Sequence, residues 1–466
     1  MKIKFLLSLF ILFVLVACSG KKVTSETQEA KKYTAIHSGV AWFDQNMKEI
    51  NAHGACIVKE GDRYYLFGEY KSDDSNAFSG FGCYSSDDLM NWRFEKVVLA
   101  VQNVGLLGPE RVGARVKVMK CPGTGEFVMY MHCDDLGYRD PHVGYATCKT
   151  IDGDYQFQGD LLFDGKYIKK WDLGTFEDHD QKGYLLTHEG YIYELNEDYK
   201  SVKRIVVSDV AKGGESPAML RKGDRYFWMF SNKTSWERND NYYLTATSLE
   251  GPWEAKGFFA PEGTLTWNSQ CSFVFPIVTQ FDTVYMYMGD RWSFPKQGSA
   301  ATHVWQPIEV LGEEIAISEF WDSWSFDQNG QIVAVDQNLK SISNKIDREG
   351  QWAVESGKYR SNEKGAKLTT SFNGQQISLK GTSDAESGYA RLRVTNSKQE
   401  EVINTIVDFY SKYAYSAQKF LSPILPHDHY TITLEVMHEH PVWSDKRTAR
   451  YGSTDYFVTV DDVLVR

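Results

Sequence analysis

The sequence lacks an excess of basic residues and has no cysteine pair at metal-binding spacing. Its 466 residues include 51 Lys and Arg against 62 Asp and Glu, which gives a formal net charge of −11. Nucleic-acid binding requires a basic surface for the phosphates, so we expect no nucleic-acid partner. The absence of CxxC pairs, and of His at zinc-finger spacing, argues against a cysteine-based metal cluster.

Long apolar runs are also scarce, and the clearest one lies near the N-terminus. Phe5 to Val16 follows the charged residues Lys2 and Lys4. A helix needs about 20 apolar residues to span a bilayer, so this shorter run is typical of a signal peptide. The sequence therefore predicts export.

The predicted signal peptide ends in a motif that resembles the lipobox of bacterial lipoproteins, Leu15-Val16-Ala17-Cys18. The resemblance implies a signal peptide over 1–17, cleavage before Cys18 and lipidation of Cys18. We expect a polar tether over 18–35, with the lipid anchor as the only membrane contact. The protein would then lie in the bacterial cell envelope, on the periplasmic or surface face of the outer membrane. An ordinary signal peptide cut nearby is the alternative.

Six further cysteines are available for disulfides in an exported chain, and six thiols allow 15 pairings. Cys56 and Cys271 lie inside apolar, strand-like runs. A buried free thiol behaves as a small apolar side chain, and we expect that state here. The six residues are Cys56, Cys83, Cys121, Cys133, Cys148 and Cys271.

Aromatic residues are plentiful, at 14% of the chain, and they recur in a pattern. A Gly or Asp turn precedes a short aromatic and aliphatic run in five places, at 61–70, 124–133, 181–190, 223–232 and 281–290. A second pattern of a turn, an aromatic residue and an apolar pair follows several of them, at 85–99, 149–163, 194–207 and 246–258. Such repeats are typical of propeller blades. The sequence predicts an all-β protein with a five-bladed β-propeller over 36–329.

The pattern changes after Trp324, and period-two alternation indicates a different β architecture there. The alternating segments are bounded by Gly, Pro or Asn turns, as in a β-sandwich. They lie at 368–381, 389–396, 430–437 and 453–465. We therefore predict a C-terminal β-sandwich over 330–466.

Polar clusters precede several of the propeller runs and so are candidates for one axial funnel. They are Asn51 to Gly54, Trp171-Asp172, Gly213 to Pro217 and Trp267 to Gln270. Acidic and amide side chains at strand ends near the axis would face a small polar ligand. Their equivalent positions in different blades favour a shared site.

These clusters belong to motifs that resemble glycoside hydrolase family 43, in the branch near the exo-β-1,3-galactanases. The similarity runs from Asn51 to about Pro307. The sandwich resembles the galactose-binding-like domains often appended to such enzymes. The motifs are Asn51 to Ala55, Tyr64 to Glu69, Cys83 to Trp92, Trp171 to Phe176, Glu215 to Met219, Trp236 with Asn239-Asp240, Asn268 to Gln270, Gly289 to Trp292 and His303 to Pro307.

The resemblance implies an inverting hydrolysis of glycosidic bonds in which one carboxylic acid protonates the leaving oxygen. Glu215 matches that acid, and Asp172 matches the Asp that orients it and raises its pKa. The implied substrate is a galactose-containing polysaccharide or oligosaccharide such as galactan or arabinogalactan, cleaved from the chain end. The implied substrate-binding residues are His53, Glu69, Glu110, Trp236, Asn239, Asp240, Asp290, Arg291 and Trp292.

The general base departs from most of the family, because Asn51-Ala52-His53 stands where the usual Asp lies. The galactanase branch shares this absence, and its Gln, matched by Gln270, is proposed to act through an imidic acid tautomer. The resemblance therefore implies Gln270 as a third catalytic residue that positions water. Glu69, Glu262 and Asp290 are the alternative carboxylates.

A second departure lies in the second blade, where Ala114 stands in place of the substrate-contacting Glu of the galactanases. Unless Glu110 replaces it, a furanosidase acting on galactofuranose or arabinofuranose becomes the alternative. A catalytically silent, glycan-binding lipoprotein is another. We expect no required cofactor. The sequence leaves open whether a cation such as Ca²⁺ binds on the propeller axis, near His53 or His303.

Overall fold

The computed structural model describes residues 32–444 and 448–466, so the predicted signal peptide and Cys18 lie outside the described residues. Lys32 to Arg466 form one compact unit that is nearly all β. No helix among these residues is long and apolar enough to cross a membrane. The six cysteines within this range are all free, which confirms the prediction for Cys56 and Cys271.

The first part of the chain folds into five blades, which follow one another along the sequence and are antiparallel except where β10 pairs with β15 in blade 3. Strand β1 is Ile36–His37. Blade 1 contains β2 (His53–Glu60), β3 (Arg63–Glu69), β4 (Phe81–Ser86) and β5 (Arg93–Leu99). Blade 2 contains β6 (Arg111–Lys120), β7 (Phe127–Asp135), β8 (His142–Cys148) and β9 (Gln156–Asp160). Blade 3 contains β10 (Leu162–Phe163), β11 (Lys166–Tyr167), β12 (Leu173–Glu177), β13 (Gly183–Thr187), β14 (Tyr191–Leu195) and β15 (Ser201–Val207).

Blades 4 and 5 are separated by a single helical turn, α1 (Leu265–Asn268). Blade 4 contains β16 (Gly214–Lys222), β17 (Arg225–Asn232), β18 (Tyr242–Ala246) and β19 (Glu254–Phe258). Blade 5 contains β20 (Gln270–Val278), β21 (Thr283–Arg291), β22 (Thr302–Leu311) and β23 (Glu314–Ala316). The five aromatic runs identified in the sequence correspond to β3, β7, β13, β17 and β21, the buried strand next to the innermost strand of each blade.

Apolar side chains pack between each blade and the next, which closes the ring. Blades 1 and 2 bury Phe67 and Met129 in one cluster, and blades 4 and 5 bury Phe227 and Tyr287 in another. Blade 5 then packs against blade 1 around Trp305. Every blade therefore has two covered faces, so its buried strands are apolar throughout rather than alternating.

A three-stranded sheet joins the two ends of the propeller chain. Its strands are β1, β24 (Ser323–Phe326) and β25 (Ile332–Ala334), with β1 and β25 both paired to β24. The boundary predicted at 329/330 thus falls in the turn of a hairpin. Residues 32–35, predicted as part of the tether, are packed against blade 1, where the backbone N–H of Tyr33 donates to Asn91.

The C-terminal part forms a β-sandwich of two sheets, as the alternation predicts. One sheet has the order β28-β29-β38-β31-β34 with β26 beside β38, and the other has the order β27-β30-β35-β32-β33. The inner faces share one apolar core. The strands are β26 (Lys340–Ser341), β27 (Asp347–Glu349), β28 (Ala353–Glu355), β29 (Lys358–Ser361), β30 (Lys367–Gly374), β31 (Ile377–Ser383), β32 (Tyr389–Thr395), β33 (Glu401–Asp408), β34 (Tyr415–Leu421), β35 (Asp428–Val436) and β38 (Val458–Val465). A 3₁₀ turn, Ser343–Lys345, follows β26, and a separate hairpin pairs β36 (Val442–Ser444) with β37 (Arg450–Gly452).

Candidate active site

The innermost strands of the blades surround a cavity of about 790 Å³ at one end of the propeller axis. Four carboxylates line it, together with the guanidinium of Arg115 and several aromatic rings. The carboxylates are Glu69, Asp134, Asp172 and Glu215. Below them the axis is filled by buried side chains such as His53, Lys117 and Asp290. The cavity is therefore a one-ended funnel rather than a channel.

β-Bulges in the innermost strands direct side chains towards this funnel. The pairing register shifts within β2, β6, β16 and β20. Three of the bulges hold a residue at positive φ, namely Gly54, Arg115 and Ser216. A bulge inserts one residue and reorients the side chains beside it, which is why bulges are common next to active sites. Because a bulge recurs in the innermost strands of four blades, candidate residues from different blades point into the same funnel.

At two of these bulges a carboxylate from a neighbouring blade holds the backbone. The N–H of Gly54 donates to Asp290 (3.1 Å), and the N–H of Arg115 donates to Oε1 of Glu69 (2.8 Å). At Gly54 a Cβ atom would lie 2.3 Å from Oε1 of Glu69, so only glycine fits. The carboxylates thus stabilise the bulged conformation as well as lining or supporting the funnel.

Glu215 and Asp172 have opposite pKa shifts, as an acid and its ionised neighbour require. Burial, reinforced by the negative charge of Asp172, raises the pKa of Glu215 to about 8. Burial would also raise the pKa of Asp172, but the charge of Arg115 and the nearby His132 hold it below its usual value. Asp172 is fixed by Ser216 Oγ, which donates to it over 3.0 Å. Near neutral pH, Glu215 therefore keeps its proton while Asp172 is ionised.

Arg115 connects the candidate catalytic groups. Its Nε lies 3.3 Å from Oδ1 of Asp172, and its Nη2 donates to Oε1 of Gln270 over 2.6 Å. The guanidinium also lies over the ring of Trp292, with 5.4 Å between Cζ and the ring centroid. A buried arginine that contacts both side chains fixes their relative positions, because its fork of donors is planar and rigid.

The amide of Gln270 is bonded on both sides. Its Oε1 accepts from Arg115 and from Nε1 of Trp292 (2.8 Å), and its Nε2 donates to Oε1 of Glu215 (3.2 Å) and to Oγ of Ser231 (2.8 Å). Arginine and tryptophan side chains only donate, so the oxygen must face them. Both N–H groups of the amide then point away from Arg115 and Trp292, and one of them points at Glu215.

A left-handed turn precedes Gln270. All four residues of α1, Leu265–Asn268, have φ between +52° and +56°, a conformation that costs roughly 1–2 kcal/mol per residue for L-amino acids. Surrounding groups compensate: the Asp240 carboxylate accepts from the N–H groups of Gly263 and Leu265, and Arg291 donates to the carbonyls of Trp267 and Asn268. Strain held by neighbouring contacts is typical of functional sites, and here it sets the start of β20.

Six of the twelve residues expected in the catalytic and substrate-binding sites line the funnel, and six do not. The lining residues are Glu69, Asp172, Glu215, Trp236, Gln270 and Trp292. Asp240 and Arg291 instead hold the left-handed turn, and Asn239 bonds to the backbone of Asn232. Glu110 is exposed in the turn before β6, so it does not replace the carboxylate missing at Ala114. His53 and Asp290 lie below the funnel and bond to each other.

The axial histidines and Asp290 were tested as a cation site. Ligand atoms of His53, Asp290 and His303 lie within 4.8 Å of one another. Ca²⁺ prefers six to eight oxygen ligands, whereas this cluster offers two imidazoles and one carboxylate that already accepts from His53 and Gly54. The ammonium of Lys117 also occupies this region, donating to the Gly54 carbonyl over 2.7 Å. The donor set of this cluster therefore does not fit Ca²⁺.

Several lining residues did not emerge from the sequence as site residues. They include Arg115, His132, Asp134 and Tyr138 in blade 2, Lys233 in blade 4, and Trp443 and Tyr451 in the sandwich hairpin. Ala114 also lines the cavity, and His132 is its partner across β6 and β7. His132 bonds to Asp134 over 2.9 Å. An imidazole–carboxylate pair therefore supplies polar groups beside the position where Ala114 has none.

A family model and several solved structures are similar to this chain. A family model described as glycosyl hydrolases family 43 matches residues 49–258. A solved structure from Bifidobacterium bifidum s17, provisionally assigned as an exo-β-1,3-galactanase, is 34% identical, with 60% of this chain and 95% of that chain covered and a TM-score of 0.57. A comparison with curated protein sequences found no match.

Two further solved structures are similar. A variant of the exo-β-1,3-galactanase from Phanerochaete chrysosporium, with β-1,3-galactotriose, is 26% identical over 93% of this chain and 100% of that chain, with a TM-score of 0.70. An exo-β-1,3-galactanase from Clostridium thermocellum is 28% identical over 80% of this chain and 83% of that chain, with a TM-score of 0.58.

A five-bladed propeller with a protonated and an ionised carboxyl group in its funnel defines a glycosidase, and these relatives agree. The chain belongs to glycoside hydrolase family 43.

Proposed function

We propose that this protein is an exo-acting, inverting hydrolase that releases galactose from β-1,3-linked galactan or arabinogalactan-type polysaccharide. The observation that carries the proposal is the pairing of Glu215, whose pKa is raised to about 8, with ionised Asp172 in a one-ended funnel. The similar structures that are named as exo-acting enzymes support cleavage at a chain end. The exo-β-1,3-galactanases among the similar structures support this choice of substrate.

In this reaction Glu215 gives its proton to the glycosidic oxygen as the bond to the anomeric carbon breaks. A water molecule attacks that carbon from the opposite face and loses a proton, so the configuration inverts. Asp172 keeps the Glu215 proton in place until it is needed, because two negative charges in this site would repel each other. General acid catalysis of this kind contributes typically 10²–10⁴-fold to the rate.

Gln270 fits a positioning role better than that of a base. An imidic acid tautomer would place a proton on Oε1, the atom that faces the donor groups of Arg115 and Trp292. Its Nε2 instead donates to Glu215 and holds that carboxyl group. We therefore assign to Gln270 the orientation of the acid.

Glu69 is the carboxylate that we propose as the base. Of the three alternatives considered from the sequence, it alone lines the cavity, since Asp290 lies below the funnel and Glu262 is exposed outside it. Oε2 of Glu69 lies 2.6 Å from Nζ of Lys71, and its Oε1 accepts from the backbone N–H of Arg115, so both carboxylate oxygens are held in position at the cavity wall.

The furanosidase alternative rests on Ala114, which lines the cavity without a polar side chain. The His132–Asp134 pair supplies hydrogen-bonding groups beside Ala114, so the missing carboxylate does not by itself favour a furanose. Release of reducing sugar from a panel of β-1,3-galactobiose, galactofuranosides and arabinofuranosides tests the choice. Galactose released from galactobiose supports the proposal. Hydrolysis of only a furanoside supports the alternative, and no hydrolysis of any supports a glycan-binding role.

The location is a second proposal, which rests on the lipobox-like sequence at Cys18 alone. We propose that the protein is lipid-anchored in the bacterial cell envelope. Only the thiol of Cys18 accepts the lipid, so the Cys18→Ser variant should leave the detergent-extracted membrane fraction. A variant that still partitions with membranes as the wild type does would overturn the anchor.

A further inference from the structure

A hairpin of the sandwich domain forms part of the wall of the catalytic funnel. Trp443 on β36 and Tyr451 on β37 are partners across the hairpin, and both line the cavity with the propeller residues. Their rings are nearly parallel, at 13°, with centroids 6.1 Å apart. The propeller therefore does not form the whole substrate site by itself.

Contacts with the propeller hold this hairpin in place. The backbone N–H of Val442 donates to the carbonyl of Phe294 over 3.2 Å. The Trp443 ring lies edge-on to Tyr410, with centroids 6.4 Å apart, and the Tyr410 hydroxyl donates to Glu237 of the propeller over 2.6 Å. The backbone bond of the adjacent Val442 and the ring contact with Tyr410 together hold Trp443 in position.

The hairpin continues a wall of aromatic side chains that begins at the reacting groups. Trp292 donates to Gln270, and its ring contacts that of Trp236 with centroids 5.1 Å apart. Trp236 is parallel to Phe294 at 6.1 Å, and Phe294 carries the carbonyl to which the hairpin bonds. A continuous series of contacts therefore runs from Gln270 through Trp292, Trp236 and Phe294 to the hairpin.

The two ends of this wall differ in chemistry. Around Glu215 the cavity carries carboxylates and the Arg115 guanidinium, which suit the hydroxyl groups of the sugar that is cleaved. At the hairpin it is lined by two aromatic side chains, Trp443, which is 5% exposed, and the half-buried Tyr451. Aromatic faces bind the apolar C–H face of a pyranose ring and lose little conformational freedom in doing so.

We propose that Trp443 and Tyr451 form a binding site for the sugar on the leaving-group side of the scissile bond. This inference rests on the proposed function and specifies how that site recognises its substrate. The ligand is a β-linked saccharide of at least two pyranose units, with the terminal unit beside Glu215 and the next unit against the hairpin. The sandwich domain is then part of the catalytic site rather than a separate binding module.

The test compares full-length Trp443→Ala and Tyr451→Ala variants on two substrates. β-Galactosyl fluoride has no leaving-side sugar, whereas β-1,3-galactotriose has two. We expect kcat/KM for the triose to fall by about tenfold, the size expected when a buried aromatic contact is removed, and that for the fluoride to change less than twofold. Tyr413→Ala, an exposed tyrosine of the sandwich outside the cavity, is the matched control and should match wild type on both.

The conservative variant Trp443→Phe separates recognition from folding. It should recover most of the triose activity, since a flat ring is kept. Equal losses on both substrates, or no loss on either, would overturn the binding site.

Affinity provides a readout independent of turnover: in the Glu215→Gln background, Trp443→Ala should weaken galactotriose binding and leave galactose binding unchanged. If wild type hydrolyses neither substrate, the proposed function fails; if Glu215→Gln protein also binds no galactotriose, the binding site is overturned with it.

Discussion

The guanidinium of Arg115 donates to Oε1 of Gln270 over 2.6 Å, and this bond sets the direction of the Gln270 amide. Nε1 of Trp292 donates to the same oxygen, so the amide nitrogen must face Glu215 and Ser231. Because neither donor can accept a proton, the oxygen has no partner that favours its protonated form. The contact therefore decides between two chemical roles for Gln270.

The Gln270→Glu variant distinguishes the two roles. A carboxylate at this position is a far better base than an amide, so a basic role predicts turnover at or above the wild-type level. In our account the new carboxylate lies beside Glu215 and shares its proton, so kcat on β-1,3-galactobiose should fall about tenfold or more. Steady-state kinetics measure the effect. Gln280→Glu, at an exposed position in the same blade, is the control and should leave kcat unchanged.

Removal of the proposed base, Glu69, should slow the reaction on every substrate. Glu69→Gln removes the proposed base and keeps the shape of the side chain, so kcat should fall by roughly 10²-fold or more. The loss should be as large on β-galactosyl fluoride as on galactobiose, since both reactions need an activated water. A loss confined to galactobiose would assign Glu69 to leaving-group chemistry instead.

The pH dependence of kcat/KM should follow the proton on Glu215. Its pKa is raised to about 8, first by burial and then by Asp172, so activity should be present below that pH and be lost as the pH rises through it. Asp172→Asn removes one of the two causes and should move the alkaline limb to lower pH. Asp180→Asn, at an exposed site in blade 3, should leave the limb in place. An unshifted limb in Asp172→Asn would contradict the coupling.

Thermal stability should depend on the same proton. In the unfolded chain Glu215 ionises near its ordinary pKa of 4.5, whereas in the fold it does so near 8. A raised pKa contributes stability that is fully present below 4.5 and is lost as the pH rises to about 8. Glu215→Gln has no such proton, so its Tm relative to wild type should rise between pH 4.5 and 8. Melting curves at four pH values check this, with exposed Glu262→Gln expected to show no trend.

Much of the fold could be predicted because buried strands leave a local pattern. The aromatic run at 223–232, for example, is bounded by a turn and corresponds to β17, which is buried along most of its length. Strands β33 and β34 of the sandwich were missed. The burial of β33 does not alternate regularly, since Thr405 and Ile406 are both buried, so a period-two pattern cannot reveal it.

The presence of Glu215 and Asp172 in the cavity could be predicted, but that of several groups around them could not. Glu215 and Asp172 lie in recognisable motifs. Arg115 lies in the bulge of β6, and the extra residue of a bulge changes which side chains face the funnel, so strand alternation alone does not place Arg115 there. Asp240 was expected in the substrate site, but it holds the left-handed turn instead. That contact depends on a backbone conformation that no local sequence pattern predicts. Trp443 depends on how the sandwich packs on the propeller, which no local pattern specifies.

The most direct test of the proposed mechanism is the activity of Glu215→Gln on substrates that differ only in their leaving group. The amide keeps the shape and hydrogen bonding of the acid but has no proton to give. We predict a loss of about 10²-fold or more in kcat/KM on β-1,3-galactobiose and a much smaller loss on a dinitrophenyl β-galactoside, whose leaving group departs without protonation. Near wild-type turnover of galactobiose by Glu215→Gln would contradict the assignment of the acid and the mechanism built on it.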